Sequence, residues 1–600
     1  MTMPPESPDA TPEATDAEVT TEIAAEVSEA ARESQAGDLS ASPPSAAGRA
    51  LARNSSVMAT GTIVSRVTGV LRDVAMTAAL GFYLVSDAYS LGNSLPTIVY
   101  ILVIGGALNA VFIPQLVRRM ATDEDGGRAY ADRLLTLVMS ALLVLSVVAV
   151  VAAPWIVDLY TPDDYPQNEY DLAVAFARLC LPQIMFYGMY AMLGQVLNAR
   201  GRFGAPMFAP IANNVVAIAT FLLFIAVAGT SAAADGELTT QQVLILGIGT
   251  TLGVVAQAVI LVPALWRSGY AWRPRFDWRG AGLGRAGSLA MWTVGLVLVN
   301  QVAYVFITRL ATQANVNASS ADSVAAGLTT YQKAHLVFML PHSVITVSIV
   351  TAMLPALSRV AHAGDLRRVG SDVARTMRLV AALIVPVAAI LVVTGVPVSI
   401  LLFGYGAASA AQAGLMGLIV SVFMIGLLPF TLFYVLLRGY YALEDTRTPF
   451  WLTVVFSVIL LALAYPLFAL AGHGGTQVAS LALAYSLSYW IGLVVTWWVL
   501  ARRLGSLESR RTAWVIGRLL IAGVVSVGVM LAVTRALIDL EGRGVESLGH
   551  VLLAVNVATT SLAGIVVFAA AAWVLRIQEV ADVLSLVSRG HARLRRRSAR

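Results

Sequence analysis

Ser65-Arg66-Val67-Thr68-Gly69-Val70-Leu71-Arg72-Asp73 interrupts the first long apolar segment of the chain with two arginines and an aspartate. A charge held at bilayer depth costs roughly 3 kcal/mol or more, so such residues line a cavity, pair with each other or hold a substrate. On a helix Arg66 and Asp73, seven apart, share a face, and Arg72 sits roughly 120° round from Arg66. A single Arg–Asp pair would satisfy itself. Two arginines with one aspartate leave a positive charge over, which makes a seat for an anion.

Whether this depth is bilayer depth is decided by the rest of the chain. Its 600 residues are 58% hydrophobic and 12% charged, half the charged share of about 25% in soluble domains, so the class is polytopic membrane protein. The net charge of +5 is no nucleic-acid signal. Lys333 is the only lysine, and most arginines lie between apolar segments rather than along a basic stripe. The single cysteine, Cys180, excludes intrachain disulfides and a cysteine-based metal site, and its apolar setting reads as packing.

Residues 1–53 hold ten carboxylates against Arg32, Arg49 and Arg53 and are rich in Pro, Ala, Ser and Thr, the composition of a disordered acidic tail. They lack the basic start and short apolar core of a signal peptide. From there, apolar runs of spanning length recur near 55–82, 86–117, 133–159, 170–198, 204–229, 241–266, 284–312, 326–357, 371–396, 409–441, 449–471, 476–501, 513–537 and 548–576. The expected fold class is therefore an all-α polytopic membrane protein of about fourteen transmembrane helices. Residues 578–600 begin as an amphipathic helix and end in Arg593-Leu594-Arg595-Arg596-Arg597, a basic tail suited to anionic headgroups or to a docking partner.

Loop charge sets the expected orientation. One set of connections carries Arg118, Arg119 and Arg128; Arg200 and Arg202; Arg267, Arg273, Arg275 and Arg279; Arg359, Arg367 and Arg368; Arg438 and Arg447; and Arg502, Arg503, Arg510 and Arg511. The alternate connections 83–85, 160–169, 230–240, 313–325, 397–408 and 472–475 contain no Lys or Arg. The positive-inside rule then puts both termini in the cytoplasm.

The chain also repeats itself. Leu95-Pro96 leads to Ile113-Pro114-Gln115-Leu116-Val117-Arg118, and Leu340-Pro341 leads to Leu354-Pro355-Ala356-Leu357-Ser358-Arg359. Asn198-Ala199-Arg200 precedes Pro206 much as Tyr441-Ala442-Leu443 precedes Pro449. Matching helices have the same orientation, which predicts a parallel repeat of two six-helix lobes, 54–267 and 268–504. A helix pair, 505–577, is appended. Paired lobes of this kind house a substrate path between them and work by rocking.

No hydrolytic or redox constellation and no Walker-type glycine loop is present, so no enzyme activity, cofactor or direct use of ATP is expected. His335 and His342 share a helix face but lack a third ligand for a metal, and polar satisfaction within the cavity is the expectation. Asp87 reads either as a helix N-cap or as part of the cavity rim. Lys333 either snorkels or faces the cavity beside the arginines. Pro96 and Pro341 fall inside long helices, where proline frees a carbonyl and kinks the helix.

Taken together, Ser65-Arg66-Val67-Thr68-Gly69, Arg72-Asp73, Ser86-Asp87-Ala88, Leu95-Pro96 and Val111–Pro114 resemble the N-terminal signature of the MurJ/MviN lipid II flippases. Asn198-Ala199 through Ala209-Pro210, and Tyr440-Tyr441-Ala442-Leu443 through Pro449, are similar to two further junctions of that family. The resemblance runs from about 54 to 500. It implies the multidrug/oligosaccharidyl-lipid/polysaccharide exporter fold, with two lobes around a cationic cavity and a last helix pair forming a groove for a lipid tail. Arg66 and Arg72 then match cavity arginines, and Asp73 and Asp87 the aspartates of the first and second helices.

Two departures from the family pattern stand out. Tyr100 and Ile101 occupy positions where many members have arginines, and Gln332-Lys333-Ala334-His335 stands where many have Ala-Asp-Arg, so the cavity is less cationic than the family pattern unless Lys333 replaces the missing arginine. The implied function is translocation of lipid-linked peptidoglycan precursor across the bacterial cytoplasmic membrane. Arg66, Arg72, Asp73, Asp87 and Lys333 are the expected substrate-binding set, with membrane lipids and cell-wall synthesis or division proteins as further partners. Competing readings are a flippase for another polyprenyl-linked glycan, a cation–drug antiporter and a non-transporting scaffold of envelope assembly.

Overall fold

The computed structural model describes residues 46–104, 123–125, 127–277, 287–321, 323–541, 545 and 549–581. Both expected tails lie almost wholly outside these residues, as do the repeat motif at Ile113–Arg118 and Arg279. The first helices are α1 (Ala46–Leu80), α2 (Leu84–Ile104), α3 (Arg128–Val151), α4 (Ala153–Tyr160), α5 (Gln167–Cys180) and α6 (Gln183–Ala199). They are followed by α7 (Gly204–Ala228), α8 (Thr240–Val259), α9 (Leu261–Arg267), α10 (Gly287–Ser320) and α11 (Leu328–Pro341). A π-helical turn, His342–Thr346, leads into α12 (Val347–His362). Then come α13 (Leu366–Phe403), α14 (Ala410–Ile425), α15 (Leu427–Ala442), α16 (Arg447–Leu470), α17 (Gly475–Leu504), α18 (Ser509–Glu541) and α19 (His550–Val574).

Local chemistry starts several of these helices. At α8 the Thr239 hydroxyl accepts from Gln242 N at 3.4 Å while Gln242 Oε1 accepts from Thr239 N at 2.8 Å. Ser409 and Gln412 close the same reciprocal box at α14, and Asp365 accepts from Arg368 N at 3.0 Å to start α13. Each box satisfies two amides that a helix start leaves without a partner.

Eleven helices among the described residues are long and apolar enough to cross a membrane, or twelve if α14 and α15, bent by 46° at their junction, count as one span. The fourteen expected from the sequence exceed this set by the first two. α1 carries Arg66, Arg72 and Asp73, and the expected second span runs on to 117, beyond the described residues. The helix of α1 also starts at Ala46, earlier than the expected boundary at 53. Four expected single spans are interrupted, at Ala152, at Leu181–Pro182, at Ile260 and at Gly426. Pro96 sits inside α2, whereas at Pro341 the helix continues through the π-helical turn, one way of absorbing the hydrogen bond that proline removes.

The helices group by contact. α1 lies along α7, α7 along α8, α2 against α5 and α3 against α6. In the later half α10 lies along α16, α16 along α17, and α13 along α14 and α15. α2 touches α10 and α11 where the two sets meet, and α18 and α19 pack on each other and on α13. At the α13–α14 crossing, a Cβ on Gly417 would lie 2.5 Å from Gly395 O, so these backbones touch directly, as small residues allow in membrane bundles.

Candidate functional site

The stretch that opens the chain's first span is built into α1 and is held there by one residue of α7. Asn214 Nδ2 donates to Ser65 O (3.1 Å) and to Thr68 Oγ1 (2.9 Å), while its Oδ1 accepts from Arg72 Nη1 (3.3 Å). The second Arg72 nitrogen, Nη2, donates to Asp73 Oδ2 at 3.3 Å. The other Asp73 oxygen, Oδ1, accepts from Lys333 Nζ on α11. Asp73 and Lys333 are buried, and the Arg72 side chain is about one-third exposed, at 36%. The result is a charged triad of two cations and one anion that ties α1 to α11.

These three side chains face a cavity of about 220 Å³, walled also by Asn93, Tyr187, Asn213, Gln332 and Tyr89, whose hydroxyl lies 2.7 Å from Thr250 Oγ1. Arg72 has five N–H donors and uses two in the bonds above, so the rest are available to a ligand. One surplus positive charge with several neutral donors around it suits a phosphate-type anion.

The structure separates the residues that the sequence grouped. Arg72, Asp73 and Lys333 come together, and the side chain of Lys333 faces the cavity rather than snorkelling. Arg66 does not join them. It is exposed and does not line the cavity, and the partners of Asp73 are Arg72 and Lys333. The physical reason is helical rise: seven residues share a face but lie about 10 Å apart along the axis. His335 and His342 also lie off the cavity. His335 stands among Tyr331, Phe338, Phe423 and Tyr485, 3.3 Å from the Tyr485 hydroxyl, and His342 packs on Phe430 and Tyr434. No group of three or more His, Cys, Asp or Glu residues among the described ones is arranged to hold a metal.

Asp87 is fully buried and caps a helix, though not its own. Its Oδ1 accepts from Thr329 N (2.7 Å), and its Oδ2 from Leu328 N (3.0 Å) and Asn315 Nδ2 (2.9 Å). Its carboxylate thus closes the N-terminus of α11, where an anion is favoured by the helix dipole. Other contacts between the two helix sets gather at the same end of the bundle. Asn315 donates to Phe82 O (3.2 Å), Ala407 N to Ala78 O (2.8 Å), and Arg309 to Asp163 (2.7 Å) and Asp158 O (3.2 Å).

Sequence reasoning missed Asn214. Its signal was present, because Asn213-Asn214 is a strongly polar pair inside an apolar run. At Tyr100, where the resemblance places an arginine, the ring packs 5.9 Å from the cavity residue Tyr187.

Fold and charged cavity together define a multi-pass membrane transporter. Two solved structures share this fold, the second of them described as a member of the MOP superfamily. A lipid II flippase MurJ in an inward closed conformation superposes with a TM-score of 0.66, at 17% identity over 86% of this chain and 98% of that one. A multidrug resistance MATE family transporter of that superfamily, inward-facing, gives 0.58 at 15% identity over 74% of this chain and 96% of that one.

The sequence pattern of the family described as lipid II flippase MurJ matches residues 76–542, and this chain belongs to that family. Among curated relatives, a probable lipid II flippase MurJ of Rhizobium meliloti (strain 1021) is 26% identical over 431 residues, 70% of this chain and 76% of that protein. One from Synechocystis sp. is 25% identical over 546 residues, 90% of this chain and 97% of that protein.

Proposed function

We propose that this chain moves lipid II, the lipid-linked peptidoglycan precursor, from the inner to the outer leaflet of the bacterial cytoplasmic membrane by alternating access. The observation that carries this reading is the Arg72–Asp73–Lys333 triad, a buried site with surplus positive charge whose members come from helices of both sets. Arg72 and Lys333 take the pyrophosphate, Asp73 orients them, and the exposed Arg66 meets the substrate nearer the cytoplasmic mouth. The cavity of about 220 Å³ is smaller than the roughly 300–1,000 Å³ of pockets that enclose ordinary ligands. A glycopeptide headgroup therefore needs the halves to part.

In this reading residues 54–267 and 268–504 are the two rocking lobes, 505–577 the appended pair, and α1 and α2 complete fourteen spans. Both tails, 1–53 and 578–600, lie in the cytoplasm. Asp87 belongs to the outer closure, which forms when the cavity faces inward and opens when it faces outward. Support comes from family membership and from the clustering of bonds between the two sets at one end of the bundle.

Tyr100 and Ile101, standing where the family pattern places arginines, favour a second reading: export of another polyprenyl-linked glycan with fewer charges. Conditional depletion of the chain in its host, followed by assay of which leaflet holds the precursor, tests both. Peptidoglycan precursor trapped in the inner leaflet is the expected result. Trapping of a different lipid-linked glycan supports the second reading, and no change in leaflet distribution overturns transport.

A further inference from the structure

Away from the central cavity, a strap of extended chain joins α9 to the segment before α10 and is pinned along α3. The Tyr270 hydroxyl donates to Asp132 Oδ1 (2.6 Å), Arg273 N to the same oxygen (3.3 Å), and Trp272 Nε1 and Arg275 N to Thr136 Oγ1 (3.3 and 2.9 Å). In extended chain alternate side chains face opposite ways. Arg273 and Arg275 therefore share one side, and Trp272 and Phe276 the other. All four are exposed, as is Trp266 just before the strap.

Between the strap and the start of α3 lies a second cavity, of about 440 Å³, lined by Arg128, Arg273 and Arg275 together with Asp125 and Asp132. Both acids are already engaged, Asp132 as above and Asp125 by Gly127 N (2.9 Å) and Ala129 N (2.7 Å). Asp277, the next acid along the strap, is held by Arg133 Nε (2.8 Å) and Nη2 (2.6 Å). Among the described residues neither the Arg273 nor the Arg275 guanidinium has a hydrogen-bond partner. Nearby, Arg200 lies 5.1 Å over the Tyr270 ring, and burial and the Arg128 charge both hold its pKa below the usual arginine range.

We propose that this second cavity binds the phosphate of an anionic phospholipid headgroup from the surrounding leaflet. Arginine forks match phosphate oxygens two at a time. Exposed tryptophans beside them, Trp266 and Trp272, are of the type that settles at headgroup depth. A soluble phosphate would use the arginines but would not account for the exposed Trp266 and Trp272 beside them. Because the strap links the two helix sets, a bound lipid fixes that link to α3.

The test uses the purified full-length chain in detergent, titrated with phosphatidylglycerol and followed by native mass spectrometry. Two lost arginine contacts should weaken binding about thirtyfold in the R273Q/R275Q protein. R367Q/R368Q, which removes the same charge from the exposed start of α13, should bind as the unaltered protein does. Phosphatidylcholine should compete poorly, and millimolar inorganic phosphate should displace little. Equal loss in the two double variants would overturn the site, and displacement by inorganic phosphate would overturn the lipid as its occupant. A photoactivatable phosphatidylglycerol applied to the unaltered protein should crosslink within residues 266–277. Labelling confined to other segments would overturn the proposal without depending on any variant's folding.

Discussion

At the level of single residues, Arg72 and Lys333 make different demands on substitution. Arg72 holds Asn214 and Asp73 with two nitrogens and keeps others for the ligand, so a point charge cannot replace it. Charge-assisted bonds contribute about 1.5–3 kcal/mol each. Arg72→Ala should therefore insert normally yet lower transport roughly ten- to a hundredfold, read as failed complementation of a depleted host with normal protein level. Arg72→Lys should be impaired and Lys333→Arg tolerated. Arg66→Ala should cost less than Arg72→Ala, since Arg66 is exposed and outside the cavity wall. Equal loss at Arg66 and Arg72 would show that the cavity geometry does not rank them. The sequence pointed to the right stretch because charges inside an apolar run have few explanations. It could not separate Arg66 from Arg72, since periodicity gives the face of a helix but not the partner across it. Asn214 was passed over because the amide pair Asn213-Asn214 scarcely alters a span's hydropathy, and its spacing does not name the partner on α1.

At the level of elements, the N-terminus of α11 depends on a carboxylate 241 residues earlier than Leu328. Spacing along one chain segment cannot reveal a cap supplied from so far away, which is why Asp87 stayed open between cap and rim. Asp87→Asn puts a donor opposite two backbone amides, and a buried unsatisfied group costs about 1–3 kcal/mol. The outward-open population should rise about tenfold or more. A cysteine replacing Ser90, in a Cys180→Ala background, should then react faster with an impermeant thiol reagent from outside. No change in its reactivity would remove Asp87 from the closure.

A second device joins α13 to the last helix pair. Buried Arg378 donates from Nη1 to Glu508 (3.0 Å) and Thr512 (2.9 Å), and its Nε lies 3.3 Å from Glu579. The Ser371 hydroxyl, followed by the Arg378 charge, holds the Glu508 carboxyl below its ordinary value of 4.5. A depressed carboxylate contributes stability above its unfolded pKa and loses it as pH falls through the lower folded value. Thermal stability should therefore decline below about pH 4.5, and Glu508→Gln should flatten that decline. An unchanged profile in the variant would assign the acid sensitivity elsewhere.

For the whole molecule, the spans were legible because each apolar run approaches bilayer thickness, as with 204–229 against Gly204–Ala228 and 449–471 against Arg447–Leu470. Interruptions of one or two residues were not legible, because Ile260 is as apolar as the helices it separates. Orientation remains testable by chemistry. Cysteines placed at 163–169 or 235–237 in a Cys180→Ala background should label on intact spheroplasts with an impermeant reagent. Labelling only after lysis would invert the topology.

One feature of the triad makes the molecule its own reporter. The cation that α11 contributes is the chain's sole lysine, so the folded protein has one side-chain primary amine, and it lines the central cavity. Amine-selective acylating reagents target that amine and the N-terminal amine. While Asp73 holds it the amine is a protected ammonium, and it becomes a nucleophile only when the cavity admits water and the pair separates. The rate of acylation at position 333 is thus a clock for opening, read by mass without adding a probe to the sequence.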